Sequence, residues 1–156
     1  MKRHPAFQDL SRDHFVALNR CLQVVRAIEG HPSARPLDLV LEEFRHLWEG
    51  DGLRAHFLEE ETDLVPLLHK YGAEDLAQRL MDEHADIRRG FHELSSGKHD
   101  QALATAKGLT AHARWEEDTV FEWLQQNLSE PQLAALLEQS RGFRAANGLP
   151  VNPPKA

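Results

Sequence analysis

The sequence predicts an all-α fold, an up-down-up-down four-helix bundle with a short accessory C-terminal helix. Three observations carry that expectation. Apolar residues recur at steps of three and four through four long segments, Gly and Pro mark short connections between them, and no alternating β-branched segment competes as a strand. At 156 residues, 41% of them apolar, the chain suits one domain with a single continuous core. Residues 1–145 are expected to form that domain and 146–156 a flexible tail.

The first helix follows a short polar lead and carries Leu10, His14, Ala17, Cys21, Val24 and Ile28 on one stripe, ending at Gly30. Residues 31–36 read as a loop, with Pro36 suited to the first turn of the next helix. That second helix places Leu37, Leu41, Phe44 and Trp48 in register. It is expected to run unbroken through Gly50-Asp51-Gly52 to His56, Glu60 and Leu64, because the apolar register resumes after the glycines. Pro66 kinks or restarts its last turns and Gly72 closes it. The third helix carries Leu76, Leu80, His84, Ile87, Phe91 and Leu94 and stops near Gly97. The fourth starts from Asp100 as N-cap, with Leu109, His112, Glu116, Val120 and Trp123 in register. Ser129-Glu130-Pro131-Gln132 has capping-box spacing and opens a short helix through Leu137. Beyond Arg141 the chain turns rich in Gly, Pro and Asn, as a loose end does.

A net charge of −7 with no dense Lys/Arg block argues against nucleic acid or an anionic membrane as the main partner. No segment approaches the roughly 20 apolar residues that span a bilayer, and nothing at the N-terminus reads as a leader. Cys21 is the only cysteine, so there is no disulfide framework and no thiolate metal cluster, and a reducing, cytoplasmic setting is expected. Ten histidines are the unusual feature of the composition. Imidazole is the commonest protein metal ligand.

One stretch occurs twice. Ala55-His56-Phe57-Leu58-Glu59-Glu60-Glu61 is echoed by Ala111-His112-Ala113-Arg114-Trp115-Glu116-Glu117. On a helix, residues four apart share a face, so each copy sets an imidazole beside a carboxylate. With His14 and His84 these make six polar residues, His14, His56, Glu60, His84, His112 and Glu116, on seams that should be apolar. A single seam histidine is more often a satisfied core residue than a ligand. Six on one axis must satisfy each other or a cation, since an unpaired buried polar group costs about 1–3 kcal/mol. Mixed imidazole and carboxylate ligation suits iron, manganese or zinc better than calcium or magnesium. The repeat assigns two histidines to each of two ions, with Glu60 and Glu116 spanning them.

The order His14, His56-x-x-x-Glu60, His84, His112-x-x-x-Glu116 resembles the hemerythrin-like, HHE cation-binding family over residues 10–126. The resemblance implies a four-helix bundle around a non-haem di-iron centre (Fe2+/Fe3+). The four histidines would be terminal ligands, and the two glutamates would bridge the irons with a solvent-derived oxygen. Oxygen-carrying members have a fifth histidine one turn after the third ligand, where this chain has Arg88. They also have an aspartate five residues after the last histidine, where this chain has Glu117, with Glu116 one position earlier. The resemblance points to a small ligand, dioxygen, peroxide or nitric oxide, in sensing, stress defence or iron handling. An enzyme with peroxidase, oxidase or nitric oxide-reducing turnover, and an interaction module with a structural metal such as zinc, stay open as alternatives. A homodimer or a separate protein partner would carry any signal. Glu59, Glu61 and Glu117 are expected either at the surface or hydrogen-bonded to a ligating imidazole, with direct ligation by Glu59 or Glu117 as the lesser alternative. Trp48, Phe57, Phe91, Trp115 and Trp123 are expected to pack the core, and Cys21 to be a buried, inert thiol.

Overall fold

The computed structural model describes residues 2–151, and among them there is helix but no strand. Helix α1 (Pro5–Ile28) begins before its apolar stripe does. His4 is the reason: its Nδ1 accepts the Ala6 N–H at 3.0 Å, and Pro5 fills the first turn. Helix α2 (Leu37–Glu49) is followed by α3 (Leu53–Glu59), a π-helical turn (Glu60–Leu64) and α4 (Val65–Lys70), the last three forming one rod. After α5 (Glu74–Ser95), a second composite rod consists of α6 (Ala102–Trp115), a π-helical turn (Glu116–Val120) and α7 (Phe121–Asn127). Helix α8 (Glu130–Asn147) closes the chain.

Two local expectations are corrected. The second predicted helix does not run through its glycines. The N–H groups of Gly50 and Asp51 both reach the His46 carbonyl, at 2.8 and 3.1 Å, and Gly52 turns left-handed at φ 88°. A Cβ on Gly50 would lie 2.0 Å from the exposed His46 ring, which would have to swing aside. The fourth predicted helix starts at Ala102 with Gln101, not Asp100, at the N-cap, and no side chain caps it.

The capping box at Ser129 is formed in full, with Ser129 Oγ accepting from Gln132 N–H and the Gln132 side chain accepting from Ser129 N–H. The helix it opens continues past Leu137 for a total of 18 residues. Its far half buries polar groups, Ser140 and Arg144, which an apolar count does not register. Of the segment expected as a tail, residues 152–156 lie outside the described residues. Leu149 is buried, beside Gly52.

Helix α1 runs antiparallel to the α6–α7 rod. Arg3 reaches Gln125 at one end, and Lys107 reaches Glu29 at the other. The core divides into two apolar clusters along the bundle. One gathers Phe7, Leu10, Leu64, Leu68, Leu80, Phe121 and Leu124; the other gathers Cys21, Val24, Phe44, Phe57, Phe91, Leu94 and Leu109. His14 falls between Leu10 and Ala17, and His84 between Leu80 and Ile87, so a polar layer separates two water-excluding plugs. No helix among the described residues is long and apolar enough to cross a membrane.

Candidate metal centre

The six seam residues converge in that layer. His14 comes from α1, His56 from α3, His84 from α5 and His112 from α6, while Glu60 and Glu116 are each the first residue of a π-helical turn. A π turn inserts one residue into the helical ladder and is frequent at functional positions. Here it begins at the same position of both copies of the repeated motif. All six side chains are buried. Their donor atoms form two sets, each within 4.8 Å: His14, His56, Glu60 and Glu116, then Glu60, His84, His112 and Glu116. Glu60 and Glu116 belong to both sets.

Close approaches cross the layer: His56 Nε2 to Glu60 Oε1 at 3.3 Å, His84 Nε2 to the same oxygen at 3.2 Å, and His112 Nε2 to Glu116 Oε1 at 2.5 Å. None is a formed hydrogen bond. The four Nε2 atoms and all four carboxylate oxygens of Glu60 and Glu116 are buried without a hydrogen-bond partner among the described residues. At about 1–3 kcal/mol each, eight such atoms would cost about 8–24 kcal/mol. That rivals the whole stability of a domain, roughly 5–15 kcal/mol. Cations between these atoms would satisfy all eight together, so the donor set fits two metal ions.

Outside the layer every imidazole is anchored by its other nitrogen. Nδ1–H donates from His14 to Glu117 (3.0 Å), from His56 to Asp13 (2.8 Å), from His84 to Glu61 (2.6 Å) and from His112 to Glu83 (2.9 Å). A carboxylate at Nδ1 fixes the tautomer, leaves the Nε2 lone pair pointing inward and raises its basicity. The pattern is cyclic and two-fold: Asp13 on α1 serves α3 as Glu83 on α5 serves α6, and Glu61 serves α5 as Glu117 serves α1. Each acid is held in turn by an arginine: Glu117 by Arg3, Asp13 by Arg144, Glu61 by Arg88 and Glu83 by Arg79.

Electrostatics follow from this ring. Burial alone would lower each imidazole, but the surrounding carboxylates prevail. His112 is raised to about 10 by Glu116 and Glu83, and His56 well above its ordinary 6.5 by Glu60 and Asp13; His14 and His84 are also raised. Against the upward push of burial, His112 holds Glu116 well below the usual carboxylate range.

Glu61 and Glu117 take the imidazole-anchoring role expected of them. Glu59 takes neither expected role: it is buried against Arg144 and Ser140. Arg88 faces outward, with Nη2 2.7 Å from Glu61. Cys21 is fully buried and its thiol is pushed up to about 12 by burial, consistent with an inert core thiol. Phe57 and Phe91 are core residues, and Trp48, Trp115 and Trp123 pack at its margin. Sequence reasoning missed Asp13, Glu83 and Arg144. A signal existed for the acids, since Asp13-His14 and Glu83-His84 set a carboxylate directly before each lone histidine, as Glu60-Glu61 and Glu116-Glu117 double it in each repeat.

Fold and site together define a helical bundle built around a buried histidine/glutamate layer suited to cations. The model of the hemerythrin HHE cation-binding domain matches residues 6–124, and the chain belongs to that family. Neither a curated protein nor a solved structure matches it.

Proposed function

We propose that the protein binds two iron ions through His14, His56, His84, His112, Glu60 and Glu116, and uses them on a small ligand such as dioxygen, peroxide or nitric oxide. The observation that carries this reading is the cluster of eight buried, partnerless ligand atoms divided into two sets that share both carboxylates. When bound, iron supplies redox chemistry toward such ligands. The chain supplies the rest. Glu60 and Glu116 neutralise positive charge at both positions, the four imidazoles are pre-aimed by their anchoring acids, and the flanking apolar clusters keep bulk water away. Four histidines for two ions leave fewer protein donors than two octahedral shells require, which is room for an exogenous ligand. A surface cleft of about 480 Å³ has Arg12, Asp13, Gly52 and His56 in its lining.

The test is metal content after ligand substitution. His56→Ala or Glu116→Ala should lower the metal bound per chain, while replacing the exposed His92 should not. Unchanged stoichiometry in both ligand variants would sink the proposal.

A further inference from the structure

Three of the four anchoring acids are held from the surface. Arg3, Arg88 and Arg79, the partners of Glu117, Glu61 and Glu83, are 22%, 33% and 53% exposed. Solvent reaches and screens these three pairs, of which only Arg3 is further held by hydrogen bonds, to Gln125 Oε1 and the Glu117 carbonyl. Asp13 is held differently. Its partner Arg144 comes from α8, is completely buried, and is fixed on every side. Nε and Nη2 donate to Glu59 Oε1 and Oε2 at 3.2 and 2.9 Å, Nη1 donates to the Pro150 carbonyl at 3.0 Å, and Nη2 donates to Asp13 Oδ2 at 2.5 Å. Glu59 is itself buried and accepts from Ser140 Oγ at 2.5 Å. The Asp13 oxygen that meets Arg144 is the one that accepts from His56 Nδ1. Helix α8 lies beyond the family-matched segment, so Arg144 and Ser140 come from outside it, while Asp13 and Glu59 lie within it.

We propose that Arg144 is a positioning residue that preorganises the His14–His56 half of the centre, so that this half takes the first metal ion. The inference rests on the two-metal reading above. A planar guanidinium held by Glu59 and the Pro150 carbonyl cannot drift, so it fixes Asp13, and Asp13 fixes the ring of His56. In the His84–His112 half both anchoring acids depend on the more exposed Arg88 and Arg79, whereas the His14–His56 half has the buried Arg144 together with the less exposed Arg3, so less ordering is left to it when the ion arrives.

The experiment follows Zn2+, a redox-inert probe, into the metal-free full chain by calorimetry, with the ring 15N resonances of the four histidines reporting which half fills. In the wild type, His14 and His56 should respond to the first equivalent, and His84 and His112 to the second. The pair Glu59→Gln/Arg144→Gln removes the clamp without stranding a buried charge. It should weaken the first step about 10- to 100-fold, leave the second within about threefold, and shift the His56 ring signals even without metal. Glu59→Gln/Arg144→Lys returns a cation beside Asp13 and should recover most of the loss. Simultaneous filling in the wild type, first filling of the His84–His112 half, or equal weakening of both steps in the variant would overturn the proposal. The wild-type order decides even if the double variant fails to fold. If the wild type takes up no metal, the two-metal reading fails, and the metal-free His56 signals still decide whether Arg144 positions that ring.

Discussion

Phe57 joins the packing of the core to the geometry of the site, and Phe57→Ala separates the two. Its ring is 1% exposed and lies flat on the His84 imidazole, with centroids 3.8 Å apart and planes 2° apart, and its edge meets His112 at 5.7 Å. Truncating a buried Phe costs about 3–5 kcal/mol through lost contacts and the cavity left behind. In a domain of this size one kcal/mol moves the melting temperature by roughly 2–4 °C, so the metal-free protein should melt roughly 6–20 °C lower. The control is Phe44→Ala, in the same cluster and equally buried, whose ring packs at a tilt against Phe91 instead of against a histidine. It should cost similar stability. Only Phe57→Ala frees the His84 ring to turn about its single anchor to Glu61, so only that variant should weaken metal retention, by about tenfold or more. Thermal melts of metal-free protein and chelator competition of loaded protein measure the two effects. Equal loss of metal in both variants, or none in Phe57→Ala, would refute this account of the wall.

Other expectations concern the turn, an acid and the protons of the layer. Gly52→Ala should destabilise by about 1–2 kcal/mol, because φ is 88° and the new Cβ would come within 2.7 Å of Leu149 Cδ2; a rise in melting temperature would instead indicate the unbroken helix that the register suggests. Asp63 is buried near Glu59 with one carboxylate oxygen unpartnered, and burial followed by the Glu59 charge raises it from 3.8 to about 6. Its ionisation opposes folding, so Asp63→Asn should stabilise at pH 7.5 by roughly 3 kcal/mol at most, the gain vanishing near pH 4; equal melting of variant and wild type at pH 7.5 would contradict it. His112, raised from 6.5 to about 10, stabilises the metal-free fold fully below pH 6.5, and that contribution is lost as pH rises through about 10. Loading metal must expel such protons, so affinity should fall as pH falls, and at pH 7.5 about one proton or more, from His112 first, should be released. Calorimetry in buffers of different protonation enthalpy counts them, and fewer than one would count against the assignment.

The inner layer was legible because helical spacing is rigid. His56 and Glu60, like His112 and Glu116, face one way on any α-helix, and an apolar frame marks that way as inward. The outer ring was hidden because each of its contacts crosses between helices: whether Asp13 meets His56 depends on the rotation and offset of α1 against α3, which no single-helix period contains. The break at Gly50–Gly52 was misread because a turn can return the chain to the same face that an intact helix would have reached. The full length of α8 was invisible for a third reason. Its buried residues beyond Leu137 are Ser140 and Arg144, inside only because Glu59 and Asp13 wait for them. The π turns left no sign in the sequence beyond the paired glutamates at which they begin.

The most direct test is elemental analysis of anaerobically purified protein, followed by absorption spectra as air, peroxide and nitric oxide are added in turn. Two irons per chain, with charge-transfer bands that respond to at least one of these ligands and vanish in His56→Ala, are the predicted result. One zinc or no metal, with a spectrum that none of the three alters, would contradict it.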